Sequence, residues 1–168
     1  MRKQAKAGKP APTKKRDKAV VGKTMSAVKS VNTAPEVLLR KTLWRMGLRY
    51  RLHVKTLPGK PDIVFAKSKV AVFVDGDFWH GRQWRLRGYK SLESQFDGVS
   101  NKPYWVEKIT RNMARDRKVG AQLRKLGWRI VRIWESDLKK DVEKAGKFIL
   151  ERTAPVNPKK LFYPEFRS

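Results

Sequence analysis

The sequence predicts a single α/β domain with the element order α, β, β, β, α, β, α. Segments with apolar residues at every third or fourth position indicate helices, and short Val-, Ile- and Phe-rich segments between Gly, Pro and polar residues indicate strands. One of these strands, Val70 to Asp75, is apolar on both faces, as expected for a central strand covered by helices. With 168 residues and 40% hydrophobic content, the chain can fill one core.

The first helix is expected to begin near Thr33 and to end at Gly47. Thr33 offers an N-cap hydroxyl, Pro35 stands in the first turn, and Glu36 occupies the third position of a capping box. This capping role is a sufficient explanation of Glu36, so a functional role requires that the helix lies over the Asp62 strand end.

The next three strands are expected to form an antiparallel meander. They cover Tyr50 to Val54, Asp62 to Phe65 and Val70 to Asp75, and turns at residues 57–61 and 66–69 separate them.

The second half of the chain is expected to contain a long basic loop, two helices and a fourth strand. The loop covers residues 81–102, a helix follows at about 103–126, the strand is Trp128 to Trp134, and a last helix spans about 137–152.

The charge of the chain indicates a nucleic-acid partner. The formal net charge is +26, of which residues 1–30 contribute +9 (ten basic residues and one acid), leaving +17 on the remaining residues. Such a surface binds the phosphate backbone by counterion release without reading sequence. We expect a disordered basic arm at 1–23, a folded domain at 24–153 and a C-terminal tail at 154–168.

Other classes of protein are disfavoured by composition. The absence of Cys excludes disulfides and Cys-ligated zinc, and two His residues make a His-based zinc site improbable. No apolar run approaches the length of a membrane span, and the N-terminus lacks the apolar segment of a signal peptide. We therefore expect a cytoplasmic or nucleoid-associated protein.

Carboxylates are expected to converge at the ends of neighbouring strands. Asp62 opens the second strand, and the third strand ends in Asp75, followed by Gly and Asp77. Converged carboxylates are costly unless a cation neutralises them, and a hard divalent ion with oxygen ligands does so.

His80 is a candidate for proton transfer near these carboxylates, and Asp116 is a further candidate site residue. An imidazole can exchange a proton at neutral pH, although a hydrogen-bonded structural histidine is the alternative. Asp116 lies on the helix stripe that contains Trp105 and Ile109, so either it pairs with an Arg in the core or it belongs to a site.

Five segments together resemble the very short patch repair (Vsr) DNA mismatch endonucleases, over roughly residues 18–140. They are LPGKPD at 57–62, VFVDGDFWHG at 72–81, YWVEKI at 104–109, NMARDR at 112–117 and LGWRIVRIWE at 126–135. The resemblance implies a restriction-endonuclease-like three-layer fold with a central mixed sheet flanked by helices. It also implies a Mg²⁺-dependent nick in double-stranded DNA, on the 5′ side of the mispaired T of a T:G mismatch, by a protein that we expect to be a monomer.

The resemblance also implies roles for individual residues. Asp62 matches the metal-binding carboxylate, assisted by the backbone carbonyl of Val74. His80 matches the catalytic histidine, which we assign to activation of the attacking water. Asp116 matches the acid that supports this histidine, and Glu36 matches an acidic residue that completes the site. The residues expected to contact DNA are the aromatics Phe78, Trp79 and Trp105 and the basic Arg82 and Arg85.

Two departures from the family pattern concern metals. Vsr enzymes typically bind a structural zinc through Cys and His, whereas this chain has Asp77 at one such position and no Cys, so we expect no structural zinc. Asp75 stands where some relatives have His, which makes it a candidate additional metal ligand.

Two alternatives to mismatch nicking remain. Vsr-like homing or site-specific endonucleases share the acidic arrangement and cut unmismatched DNA. A noncatalytic DNA-binding module would keep the basic surface and use the acids structurally.

Overall fold

The computed structural model describes residues 31–154, so the predicted basic arm and all but Ala154 of the predicted tail lie outside the described residues. The elements are α1 (Ala34–Arg45), β1 (Arg51–Leu52), β2 (Ile63–Phe65), β3 (Val70–Asp75), α2 (Gln83–Leu86), a 3₁₀ turn (Ser94–Phe96), α3 (Lys102–Lys125), β4 (Arg129–Trp134), α4 (Glu135–Lys140) and α5 (Val142–Thr153). None of these helices is long and apolar enough to cross a membrane.

The four strands form one mixed sheet in the order β1, β2, β3, β4. The β1–β2 and β2–β3 pairs are antiparallel, which confirms the predicted meander, and β3 pairs with β4 in parallel. Val72 faces Ile63 on one side and Val131 on the other, so β3 is the central strand that its apolar sequence predicts.

Helices cover both faces of this sheet and complete the predicted three layers. On one face, α1, α4 and α5 contribute Leu39, Leu43, Leu138 and Ile149 to the main hydrophobic core. On the other face, Leu123 of α3 packs with Ala71 and Phe73. Full burial of each large aliphatic side chain stabilises the fold by about 1.5–3 kcal/mol.

Three expected elements differ from the structure in extent. β1 has two residues instead of five, because His53 adopts a positive φ of 46° and turns the chain out of the strand. The basic loop contains α2 and the 3₁₀ turn, and Phe96 anchors it in the protein interior. The last helix is divided at Asp141, whose extended backbone ends α4 and whose side chain accepts a hydrogen bond from the Lys144 N–H at 2.9 Å.

Gly81 determines how closely the segment after His80 approaches α3. Its φ is +78°, and a Cβ at this position would meet the Met113 sulfur at 2.5 Å. A side chain here would therefore strain the backbone and push the His80 segment away from α3.

Candidate active site

The end of β3 brings Asp62 next to the backbone of the neighbouring strand. Asp62 precedes β2, and its Oδ2 accepts a hydrogen bond from the Val74 N–H at 2.8 Å. Burial raises the pKa of Asp62 above its usual value, and this effect exceeds the opposing effects of the Val74 hydrogen bond and the neighbouring cationic groups. A partly buried carboxylate of this kind gains from a bound cation.

His53 and Glu36 lie beside Asp62. The His53 Nε2 is 3.1 Å from Glu36 Oε1, and its Nδ1 is 3.9 Å from Asp62 Oδ1. One potential ligand atom from each of the three residues lies within 4.8 Å of the others. Carboxylate oxygens and a neutral imidazole nitrogen are ligands that divalent cations accept. Burial lowers the pKa of His53, and the Arg40 charge lowers it further, so the neutral ring is favoured.

Glu36 combines the two roles considered for it. Its Oε2 accepts a hydrogen bond from the Thr33 N–H at 3.3 Å, as the capping box predicts. Its Oε1 is turned toward His53, and the side chain is only 2% exposed. The helix N-terminus therefore presents a buried carboxylate to the Asp62 strand end.

Arg40 inserts its guanidinium into the same group. It forms an ion pair with Glu36, one helical turn earlier, and its Nη2 is 2.7 Å from His53 Nε2. Its Nη1 donates to Asn32 Oδ1 at 2.7 Å. The Glu36 charge is therefore compensated within the protein.

A second group of polar side chains surrounds His80. The His80 Nδ1 is 2.5 Å from Asp116 Oδ2, a distance that assigns the proton of this nitrogen to a hydrogen bond with Asp116. Burial acts to raise the pKa of Asp116, but the His80 hydrogen bond and the charges of His80 and Arg132 outweigh it and leave the pKa below its usual value. Asp116 therefore belongs to this group and also pairs with an arginine, as both sequence interpretations require.

Arg132 of β4 holds the two acids of this group. Its Nε and Nη2 donate to the two oxygens of Asp75 at 2.6 and 2.7 Å, and Nη2 also lies 3.1 Å from Asp116 Oδ1. Asp75 is only 3% exposed, so a metal ion at this predicted ligand would have to compete with a bidentate ion pair.

Val74 and Asp75 link the two groups. The Val74 N–H binds Asp62, and the next residue, Asp75, has its Oδ1 3.8 Å from His80 Nδ1. The Asp75 charge also contributes to the raised pKa of Asp62. The four predicted polar residues therefore gather around one strand end: Glu36, Asp62, His80 and Asp116.

The predicted aromatic residues form a cluster beside His80. Phe78 lies 4.9 Å from Trp79 and 5.5 Å from Trp105 between ring centroids, and Trp79 lies 6.1 Å from Trp105. Phe96 of the basic loop stacks on Trp105 at 6.4 Å and is buried. The three predicted rings are partly exposed, so they pack together and also reach the surface.

The residues on either side of Phe78 and Trp79 are tied to the segment that follows β4. The Asp77 carboxylate is buried and accepts hydrogen bonds from the Ser136 N–H and hydroxyl at 3.1 and 2.9 Å. Arg82 makes a bidentate pair with Asp137 at 2.6 and 2.9 Å. Of the two arginines predicted to contact DNA, Arg82 thus has a protein partner, whereas Arg85 is exposed and lies 4.7 Å above the Trp84 ring.

Three residues of the site were not identified by the sequence patterns, namely Arg40, His53 and Arg132. The His53 position follows from the hairpin register, because Leu52 faces Ile63 and so places His53 opposite Asp62. Arg40 follows Glu36 at the helical spacing of four residues. Arg132 faces Phe73 across the parallel pair, and no pattern in the sequence indicates this pairing.

Comparison with known proteins gives consistent matches. A sequence model of the family DNA mismatch endonuclease Vsr matches residues 13–86. The chain is 46% identical over 116 residues to the type II nicking enzyme V.HpaIIP of Haemophilus parainfluenzae, covering 69% of this chain and 77% of that protein. It is 44% identical over 119 residues to the type II nicking enzyme V.NmeDIP of Neisseria meningitidis serogroup C, covering 71% and 76%. It is 33% identical over 136 residues to the DNA mismatch endonuclease Vsr of Escherichia coli strain K12, covering 81% and 82%.

The mixed sheet with helices on both faces, together with these relatives, defines the chain as a DNA endonuclease with a restriction-endonuclease-like fold. The chain belongs to the Vsr family. DNA is therefore its substrate, and the interpretation as a noncatalytic DNA-binding module is wrong. Nucleases of this family are metal-dependent.

Proposed function

We propose that this endonuclease nicks double-stranded DNA on the 5′ side of the mispaired T in a T:G mismatch, with Mg²⁺ as its metal ion. The observation that carries the proposal is the meeting of Asp62 and His80 at the end of β3, through Val74 and Asp75. All the side chains involved come from one chain, so a monomer is sufficient for the reaction.

Asp62 is the residue that we assign to the metal ion, together with the backbone carbonyl of Val74. Within residues 31–154, Asp75, Asp116 and Glu36 each pair with an arginine, whereas Asp62 has no ion pair with Lys or Arg. Its partly buried carboxylate offers the hard oxygen ligand that Mg²⁺ prefers. When bound, the ion stabilises the additional negative charge of the transition state and lowers the pKa of a water molecule.

His80 is the residue that we assign to proton transfer. Because its Nδ1–H is engaged with Asp116, Nε2 is the nitrogen that can accept a proton from the attacking water. The lowered pKa of Asp116 keeps this acid ionised, and its charge stabilises the imidazolium that forms. The water oxygen bonds to phosphorus as the bond from phosphorus to the bridging oxygen breaks, and the leaving oxygen takes a proton from solvent water to become a hydroxyl.

Glu36 of α1 is assigned to holding neighbouring side chains of the site in place. Its buried carboxylate orients His53 and Arg40 next to Asp62. Asp75, which was considered as an additional metal ligand, is proposed to act through Arg132 by holding it against Asp116.

Phe78, Trp79 and Trp105 are assigned to contact with DNA beside the cleaved bond. Partly exposed aromatic side chains can insert between base pairs and unstack them. Their packing against the buried Phe96 gives such a wedge a rigid base. Arg85 and Arg82 are assigned to contacts with the phosphate backbone. To make such a contact, Arg82 would leave Asp137 and bind a DNA phosphate instead.

Site-specific nicking of unmismatched DNA is a second candidate function. Relatives named as type II nicking enzymes share 39–46% identity with this chain, compared with 33% for the protein named as a mismatch endonuclease. The same Asp62 and His80 chemistry serves both candidates, which differ only in how the strand is selected.

A comparison of matched duplexes separates the two candidates. We expect Mg²⁺-dependent nicking of a T:G duplex and at least tenfold slower nicking of the T:A duplex with the same flanking sequence, because an undistorted pair resists insertion of the aromatic residues. The measurement is the single-turnover rate on end-labelled oligonucleotides, repeated over several flanking sequences. Equal rates on both duplexes would favour site-specific nicking.

Deletion of residues 1–20 is expected to weaken DNA binding and leave catalysis unchanged. This segment carries eight Lys and Arg residues and one Asp. For every phosphate that the shortened protein no longer neutralises, the slope of log affinity against log salt concentration should become shallower by about 0.9. Binding at several salt concentrations and the nicking rate at saturating protein measure the two effects, and a full-length variant with the eight basic residues changed to Gln is the control. Loss of turnover at saturation would mean that the arm belongs to the active site.

A further inference from the structure

We propose that the Arg40 guanidinium fills the position of a second divalent cation, so that the active site takes one divalent ion, at Asp62. This inference rests on the proposed metal site and adds to it the number of ions and the residue that limits that number. Many phosphodiester-cleaving sites use two metal ions about 3.5–4 Å apart. The four carboxylates gathered at this strand end are enough in number to bind two ions; they belong to Glu36, Asp62, Asp75 and Asp116.

The ion pairs around the strand end leave a single carboxylate without an arginine partner. Both oxygens of Asp75 accept from Arg132, at 2.6 and 2.7 Å. Asp116 shares Arg132 at 3.1 Å and also binds His80. Glu36 pairs with Arg40. Among the acids gathered here from the described residues, only Asp62 lacks an arginine.

Arg40 contacts two of the three groups that would hold a second ion. Glu36, His53 and Asp62 present ligand atoms within 4.8 Å of one another. The Arg40 Nη2 is paired with Glu36 Oε1 and lies 2.7 Å from His53 Nε2. An ion shared by Glu36 and His53 would meet a guanidinium that remains protonated at any pH at which the protein works.

The surrounding contacts hold Arg40 in this position. Its side chain is only 12% exposed, and its Nη1 donates to Asn32 Oδ1 at 2.7 Å. The backbone carbonyl of Arg40 accepts a hydrogen bond from the Tyr50 hydroxyl at 2.8 Å. A cation fixed in this way stabilises developing negative charge without reorganising during the reaction. Arg40 is therefore a positioning residue, which acts through Glu36, His53 and its charge near Asp62.

The test is the number of Mn²⁺ ions bound by the full-length protein. Mn²⁺ serves as the probe because electron paramagnetic resonance distinguishes free, bound and spin-coupled ions, and calorimetry gives the stoichiometry independently. We expect one Mn²⁺ per wild-type chain and two in Arg40→Met, where Glu36 and His53 become available. The second ion should lie close enough to the first to give a spin-coupled spectrum.

Three further variants make the result specific. Arg45→Met removes an exposed arginine from the same helix, where it pairs with Glu143, and should bind one ion. Arg40→Lys keeps the positive charge and should also bind one ion. In Arg40→Met combined with His53→Gln, loss of the imidazole ligand should return the stoichiometry to one.

Two ions in the wild-type protein, or one ion in folded Arg40→Met, would overturn the inference. If Arg40→Met does not fold, as judged by circular dichroism, Arg40→Gln, which also removes the charge, takes its place, and one ion in folded Arg40→Gln would equally overturn the inference. Two wild-type ions together with normal nicking would refute the role of Arg40 and leave the proposed function intact. Absence of any bound ion would instead contradict the metal site at Asp62 and, with it, this inference.

Discussion

The Asp62→Ala variant is expected to lose nicking activity while it continues to bind duplex DNA. Removal of the carboxylate removes the anchor of the metal ion, whose stabilisation of the transition state amounts to several kcal/mol. Because about 1.4 kcal/mol corresponds to a tenfold change in rate, the loss should be on the order of 10³-fold or more. The basic surface that binds phosphate is unchanged, so the dissociation constant should change little.

Single-turnover nicking and fluorescence anisotropy with the same duplex measure the two quantities. In Asp62→Ala the partly buried Val74 N–H loses its acceptor, a change that costs up to about 3 kcal/mol of stability. Asp62→Asn keeps an oxygen acceptor for this N–H and should be equally inactive. Asp97→Ala removes an exposed acid that pairs with Lys102 and should keep full activity. Nicking at the wild-type rate by either Asp62 variant would refute the assigned role.

The His80→Ala variant is expected to nick DNA about 10²–10⁴ times more slowly than the wild type, because a positioned base contributes about this much. The ion pair of Asp116 with Arg132 remains after the substitution, so the helix and strand that frame the site should stay in place. Duplex affinity and the melting temperature should therefore change little.

Added imidazole distinguishes a catalytic role of His80 from a structural one. The ring of free imidazole can enter the space left by the side chain and accept the proton from water, so the rate of His80→Ala should rise with imidazole concentration. Asp62→Ala, which keeps its histidine, should show no such increase. A low rate that imidazole leaves unchanged, with a lowered melting temperature, would show that His80 is structural.

Local patterns predicted the elements of the fold that depend on neighbouring residues. The capping box at Thr33 and Glu36 predicted the start of α1, and the apolar segment from Val70 to Asp75 predicted the central strand. The expected single C-terminal helix was wrong at Asp141, although an Asp that can cap a new helix is itself a local signal.

The set of side chains that the structure brings together at the candidate active site was predicted only in part. Glu36, Asp62, His80 and Asp116 are gathered as expected, whereas the arginines that compensate the acids were missed. Arg132 binds an aspartate 57 residues earlier in the chain, and only the parallel register of β3 and β4 brings the two together. His53 reaches Asp62 through the hairpin register and a left-handed backbone conformation.

The sequence by itself determined the order of the elements, the basic character of the surface and the membership in a family of DNA endonucleases. These properties depend on residue type and short spacing, which the chain carries whether or not it is folded. Only the tertiary structure decided which acids pair with an arginine and which one does not, because ion pairs between distant residues depend on strand register and helix packing. Arg40 and Arg132 compensate three carboxylates in this way, and Asp62 is the one that remains.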